Sequence, residues 1–105
     1  MRDYVTEFPC LNNLIGGYFH QDWRSHGETA DEVVIFYCQM ERHENRRGAV
    51  ADIDRLLSQT ETEDQLADAL QQLGCAYRVR GVEESIRSWL RHIRSLVKSS
   101  FEDEH

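Results

Sequence analysis

The segment that most constrains the fold is Gly16-Gly17-Tyr18-Phe19-His20-Gln21-Asp22-Trp23, where two glycines follow a short apolar run and three aromatic residues fall within six positions. Tyr, Phe and Trp rings each bury a large apolar area, while the phenol, the indole N–H, His20, Gln21 and Asp22 need hydrogen-bond partners wherever they are covered. Such a mixture fits only at a junction between other elements. It predicts a plug that closes a small helical domain, its rings inserted between later helices and its polar groups bonded to loop backbone. His20 and Asp22 are also near enough in sequence to act as a base and its orienting carboxylate. No nucleophile or second carboxylate stands at an informative spacing from them, so the packing role is favoured.

At 105 residues the chain is long enough for one core without disulfides or metal, which predicts a single domain over residues 1–105. Pro9 is the sole proline and 40% of residues are hydrophobic, a composition that suits neither disorder nor a loop-rich all-β fold. Cys10, Cys38 and Cys75 are odd in number, far apart and without a CxxC pair, consistent with reduced thiols in a cytoplasm. The N-terminus is acidic without an apolar signal core, and no apolar run reaches the ~20 residues that span a bilayer. Net charge is −7 and is unevenly spread: residues 1–40 hold six carboxylates against two arginines, and residues 61–73 hold four carboxylates and no cation. Residues 74–100 reverse the sign, with six cations against two carboxylates. The acidic field repels nucleic acid and attracts basic partners.

Helix signals recur along the chain. Phe8-Pro9 to Gly16 reads as a short helix, with proline at a first helical position, Gly16 as its cap and Gly17 as a sharp bend. Its apolar face is Phe8, Leu11, Leu14 and Ile15. Arg24 to Glu28 is a polar loop, and Thr29 with Glu32 forms a capping-box pattern that starts a helix at Ala30, running to about Arg42. The β-branched and aromatic run Val33–Cys38 would also suit a buried strand. The cap and the 3.6-residue recurrence of Val33, Phe36, Tyr37 and Met40 favour helix. Glu41–Asn45 reads as a turn, followed by a third helix on Val50, Ile53, Leu56 and Leu57. Thr62 and Gln65 start a fourth that buries Leu66, Ala69, Leu70 and Leu73 and stops at Gly74. Cys75–Gly81 is a connection, Ile86 to Val97 a long last helix, and 101–105 an acidic, frayed tail.

Few constellations could carry chemistry. Arg87, Arg91, Arg94 and Lys98 line one stripe of the last helix, a possible nucleic-acid footprint. In an acidic domain such a stripe is more simply a solvated face, paired with Glu83, Glu84 and the acidic fourth helix through contacts worth ~0–1 kcal/mol each. His20, His26, His43, His92 and His105 show no HExxH pattern and no pair at helical spacing, so no metal site is expected. There is no GxSxG and no phosphate-binding glycine loop. Asp22, Glu28, Asp31 and Glu32 cluster within eleven positions and offer a recognition surface for a cationic partner, the alternative being solvated surface.

The pattern Phe8-Pro9-x-Leu11-x4-Gly16-x-Tyr18-Phe19-His20-Gln21-Asp22-Trp23, followed by Leu70-x-x-Leu73-Gly74-Cys75-x-Tyr77 and Trp89-Leu90, resembles a helical family of contact-dependent growth inhibition immunity proteins. The resemblance implies a cytoplasmic, monomeric antidote that binds the C-terminal toxin domain of its cognate effector in a one-to-one complex. Such toxin domains are often nucleases. It implies no catalysis, no cofactor and no metal, and neither nucleic acid nor membrane as a direct partner. The basic last helix departs from a uniformly acidic inhibitor. The combined expectation is an all-α, single-domain bundle of about five helices, with toxin contacts sought first at Asp22, Glu28, Asp31, Glu32, Asp64 and Asp68. Its rivals are a nucleic-acid-associated regulator using Arg87, Arg91, Arg94 and Lys98, and a hydrolase using His20 and Asp22.

Overall fold

Two threonines set the frame of the helices. The computed structural model describes residues 3–77 and 85–102, and among these it is all-α, without a strand. Its elements are α1 (Tyr4–Glu7), α2 (Pro9–Tyr18), a 3-10 turn (Trp23–Ser25), α3 (Ala30–Met40), α4 (His43–Gln59), α5 (Glu63–Gln72) and α6 (Ile86–Glu102). Thr29 Oγ1 accepts from the Glu32 amide at 3.2 Å, fixing α3 as a helix and removing the strand alternative for Val33–Cys38. Thr62 makes the full reciprocal box: its hydroxyl accepts from Gln65 N at 3.2 Å while Gln65 Oε1 accepts from Thr62 N at 3.1 Å.

At the end of α5, Gly74 takes the left-handed conformation, φ +83°. There Cys75 N donates to Leu70 O at 3.0 Å and Gly74 N to Gln71 O at 3.1 Å, so two carbonyls that the helix would leave open are satisfied.

α6 is the central packing element. It lies against α3, α4 and α5, and buries Trp89, Leu90, Ile93 and Val97. α2 lies across α4 and α3, adding Leu11, Leu14 and Ile15 to the same core as Phe8, Phe19, Ile53, Leu56 and Leu66.

The all-α bundle of about five helices is borne out, with α1, four residues long, as a short sixth helix among the described residues. Asp3 caps it, accepting from Thr6 N at 3.3 Å and Thr6 Oγ1 at 2.6 Å, and it seats the buried Tyr4. α2 continues through both glycines to Tyr18, so Gly16 is neither a cap nor the start of a bend. Its role is close approach: a Cβ at Gly16 would sit 2.8 Å from Leu73 O at the end of α5. The buried stripe of α3 is Ala30, Val33, Val34 and Tyr37. This is the alternative i, i+3, i+4, i+7 set, and it leaves Phe36 half-buried and Met40 62% exposed.

α4 starts at His43, inside the expected turn, with no side-chain cap at Arg42. Glu41 organises this junction instead, its carboxylate accepting from Asn13 Nδ2 at 2.8 Å, Asn45 Nδ2 at 2.9 Å and Tyr18 Oη at 2.7 Å. Part of the connection expected over Cys75–Gly81, the Glu83 and Glu84 partners expected for Arg87, and residues 103–105 of the tail lie outside the described residues.

Candidate partner-binding surface

The aromatic segment divides its rings between two clusters. Tyr18 packs edge-on against Tyr37 at 5.2 Å and Phe36 at 5.9 Å while its hydroxyl reaches Glu41. That hydroxyl, before the two asparagine amides, holds the Glu41 carboxyl below the usual carboxylate range. Phe19 is fully buried against Trp89 and Tyr77, with centroids 5.3 and 5.7 Å away. Trp23 is only half-buried, edge-on to Tyr77 at 5.3 Å with Arg24 over its ring. The plug is therefore real at Tyr18 and Phe19 and partly surface at Trp23.

No hydrolytic constellation forms here. His20 Nδ1 accepts from the backbone N–H of Asp22 at 3.0 Å, so the ring engages the Asp22 main chain and not its carboxylate. His20 Nε2 lies 3.4 Å from His26 Nε2, and the His26 ring stacks on Phe36 at 5.1 Å. Burial pushes the Cys75 thiol up to about 11 and raises Cys10 and Cys38 as well, which keeps these sulfurs protonated at neutral pH and unsuited to nucleophilic attack. Among the described residues no three His, Cys, Asp or Glu side chains converge as metal ligands. No helix among them is long and apolar enough to cross a membrane.

The six acidic candidates are all exposed and stand on two groups of elements. Asp22 opens the 3-10 turn, and Glu28, Asp31 and Glu32 gather at the start of α3, where Glu32 Oε2 accepts from Glu28 N at 3.3 Å. Asp31 reaches across to α6, 2.9 Å from His92 Nε2. Asp64 and Asp68 lie on α5, where Asp68 accepts from Gln72 Nε2 at 3.3 Å. Both helices pack on α6. Ile35 is 50% exposed, one helical turn past Asp31 and Glu32 on the outer side of α3. Its exposure follows from the stripe, because the helical rotation per residue puts Ile35 on the side of α3 opposite Ala30, Val33, Val34 and Tyr37.

The basic stripe of α6 is largely committed within the fold. Arg87 donates to Leu57 O at 3.0 Å and Thr60 O at 2.7 Å, closing the C-terminal end of α4. Arg94 grips Asp54 through Nε at 2.5 Å and Nη2 at 3.1 Å, and Lys98 lies 3.4 Å from Glu102. Arg91 is exposed and has no partner among the described residues. These arginines line a groove of about 540 Å³ between α4 and α6, with Asp54, Leu57, Ser58 and Ser95 completing its walls.

A buried carboxylate also went unread in the sequence. Asp52 accepts from Cys10 N at 2.9 Å and Leu11 N at 3.0 Å, serving the open amides at the start of α2 from a position on α4. Arg55 holds its second oxygen at 2.8 Å.

Residues 7–97 match the family described as CdiI immunity protein. The chain is also similar to a chain in the crystal structure of the CdiA-CT/CdiI complex from Y. kristensenii 33638, with a TM-score of 0.83 and 32% identity over 92% of this chain and 99% of that one. No curated protein matches it.

Proposed function

The chain belongs to the CdiI immunity protein family, and from that premise we propose that it binds and neutralises the C-terminal toxin domain of a cognate contact-dependent growth inhibition effector. The observation that carries the reading is the similarity, over nearly the full length of both chains, to a chain of a CdiA-CT/CdiI complex. Residues 1–105 act as one domain in the cytoplasm, without catalysis, by occupying a surface of the toxin in a one-to-one complex. The toxin domain is a basic nuclease, and Asp22, Glu28, Asp31, Glu32, Asp64 and Asp68 steer and seat it. Support for that role comes from their exposure and, for Asp22 and Asp64, from the lack of a side-chain partner among the described residues. Ile35 supplies an apolar centre beside the acids of α3, the arrangement of interfaces that combine a dry core with a polar rim. A nucleic-acid role for the α6 stripe has less support, because Arg87, Arg94 and Lys98 are engaged within the fold.

The test is a variant carrying Ser or Asn at all six acids, titrated against the toxin domain over a range of salt. Wild-type association slows steeply with salt while dissociation changes little, and the variant associates slowly at every salt concentration. Unchanged, salt-insensitive association and full growth protection by the variant would reduce these acids to solvated surface.

A further inference from the structure

The groove between α4 and α6 is where an acidic protein turns basic, and its construction is specific. Arg87 is fixed by two carbonyls at the end of α4, and Arg94 by both oxygens of Asp54, so two guanidinium groups stand as immobilised walls. Arg91 lies one turn from Arg87 and three residues from Arg94 on the same side of α6, exposed and without a partner among the described residues. Resting on the toxin-binding function above, we propose that this groove receives an acidic segment of the toxin domain, clamped through a carboxylate by Arg91.

The chemistry selects this occupant. A free guanidinium offers a planar fork of donors that matches a carboxylate with two parallel hydrogen bonds. Asp54 offsets one of the three arginines that line the groove, leaving an excess of positive charge where a carboxylate would sit. Ser58 and Ser95 add hydroxyls, and Leu57 gives an apolar wall for the carboxylate's aliphatic stem. At about 540 Å³ the groove has room for a few side chains.

A nucleic-acid strand fits less well. Its affinity depends on neutralising several phosphates, and Arg91 alone is uncommitted on this stripe while the whole chain carries −7. Across α6 such a strand would also approach Asp31, which His92, the neighbour of Arg91, contacts at 2.9 Å. A protein surface that covers α6 instead meets acids on the α3 side and a cationic slot on the α4 side. Contacts of opposite sign at two ends of one interface fix its register and penalise partners with the wrong pattern.

The experiment titrates the toxin domain against the wild-type chain, Arg91→Ala, Arg91→Lys and Arg42→Ala, the last removing an equal charge from the α3–α4 turn. The proposal expects Arg91→Ala to weaken the complex by about tenfold or more through faster dissociation, and Arg91→Lys to restore only part of it, because lysine keeps the charge but not the fork. Arg42→Ala should stay within about twofold of wild type, the change expected of a charge outside the interface. Equal behaviour of Arg91→Ala and Arg42→Ala overturns the proposal. So does loss of duplex DNA or transfer RNA binding in Arg91→Ala with toxin binding unchanged, which would assign the groove to nucleic acid. Failure of the wild-type chain to bind the toxin refutes the function itself and is read from that titration alone.

Discussion

Phe19→Ala isolates the energetic contribution of the aromatic plug. The Phe19 ring is wholly excluded from solvent and meets Trp89 at 5.3 Å and Tyr77 at 5.7 Å. Its own carbonyl is anchored by Ala76 N at 2.7 Å, and Trp89 is itself buried, so the surroundings are poorly placed to close over a missing ring. Truncation should therefore cost ~3–5 kcal/mol from lost transfer energy and a residual cavity. The lost ring pairs form part of that figure. For a domain of this size the corresponding fall in Tm is roughly 12–40 °C, taking about 4–8 °C per kcal/mol. Against a typical total stability of ~5–15 kcal/mol this is a large share, and growth protection should fall in step with the folded fraction. Trp23→Ala provides the contrast: its ring is half-buried on one side of Tyr77 and should cost only ~1–2 kcal/mol. Urea unfolding followed by far-UV circular dichroism measures both. The reasoning is refuted if Phe19→Ala remains within ~1 kcal/mol of wild type, or if Trp23→Ala costs as much as Phe19→Ala.

Asp52→Ala should destabilise by ~2–4 kcal/mol in the same assay, because Cys10 N and Leu11 N lose their acceptor in a buried setting; a change below ~1 kcal/mol would mean water or backbone adjustment replaces it. Gly48→Ala drives a Cβ into Cys10 Sγ and should cost ~1–3 kcal/mol, most of it recovered in Cys10→Ala/Gly48→Ala; purely additive effects would show that the α2–α4 contact is not what the glycine serves. Glu41 titrates below its ordinary value of 4.5 in the folded protein, so its stabilisation is complete above that value and lost as pH falls through the depressed one. Glu41→Gln should flatten the acid limb of the Tm–pH curve below about pH 4.5, while an unchanged slope would contradict the network with Tyr18, Asn13 and Asn45.

What could be read in the sequence was local. Thr29 and Thr62 cap helices by bonds spanning three residues, and Gly74 needs only its own backbone angle, so these boundaries were visible in the order of residues. What escaped depends on contacts between distant positions. Gly16 is explained by Leu73 and Asp52 by the start of α2, and neither leaves a signal near its own position. α4 lacks a side-chain cap, so its first turn resembled loop until Glu41 and Asn45 were seen to join there. α3 offered two overlapping apolar stripes, and the choice between them was settled by packing on α2 and α6. The basic stripe of α6 was legible as charge, but its engagement by Leu57, Thr60 and Asp54 was not. Of the candidate surface, the acids could be named and Ile35 could not.

Neutralisation by direct binding is decided by mixing the purified chain with the C-terminal toxin domain of its cognate effector and measuring the mass of the product by size-exclusion chromatography with light scattering. A single one-to-one complex is expected, together with growth protection of cells that express the toxin domain and this chain. Two separately eluting proteins, with no protection from a chain that is folded by circular dichroism, would contradict it.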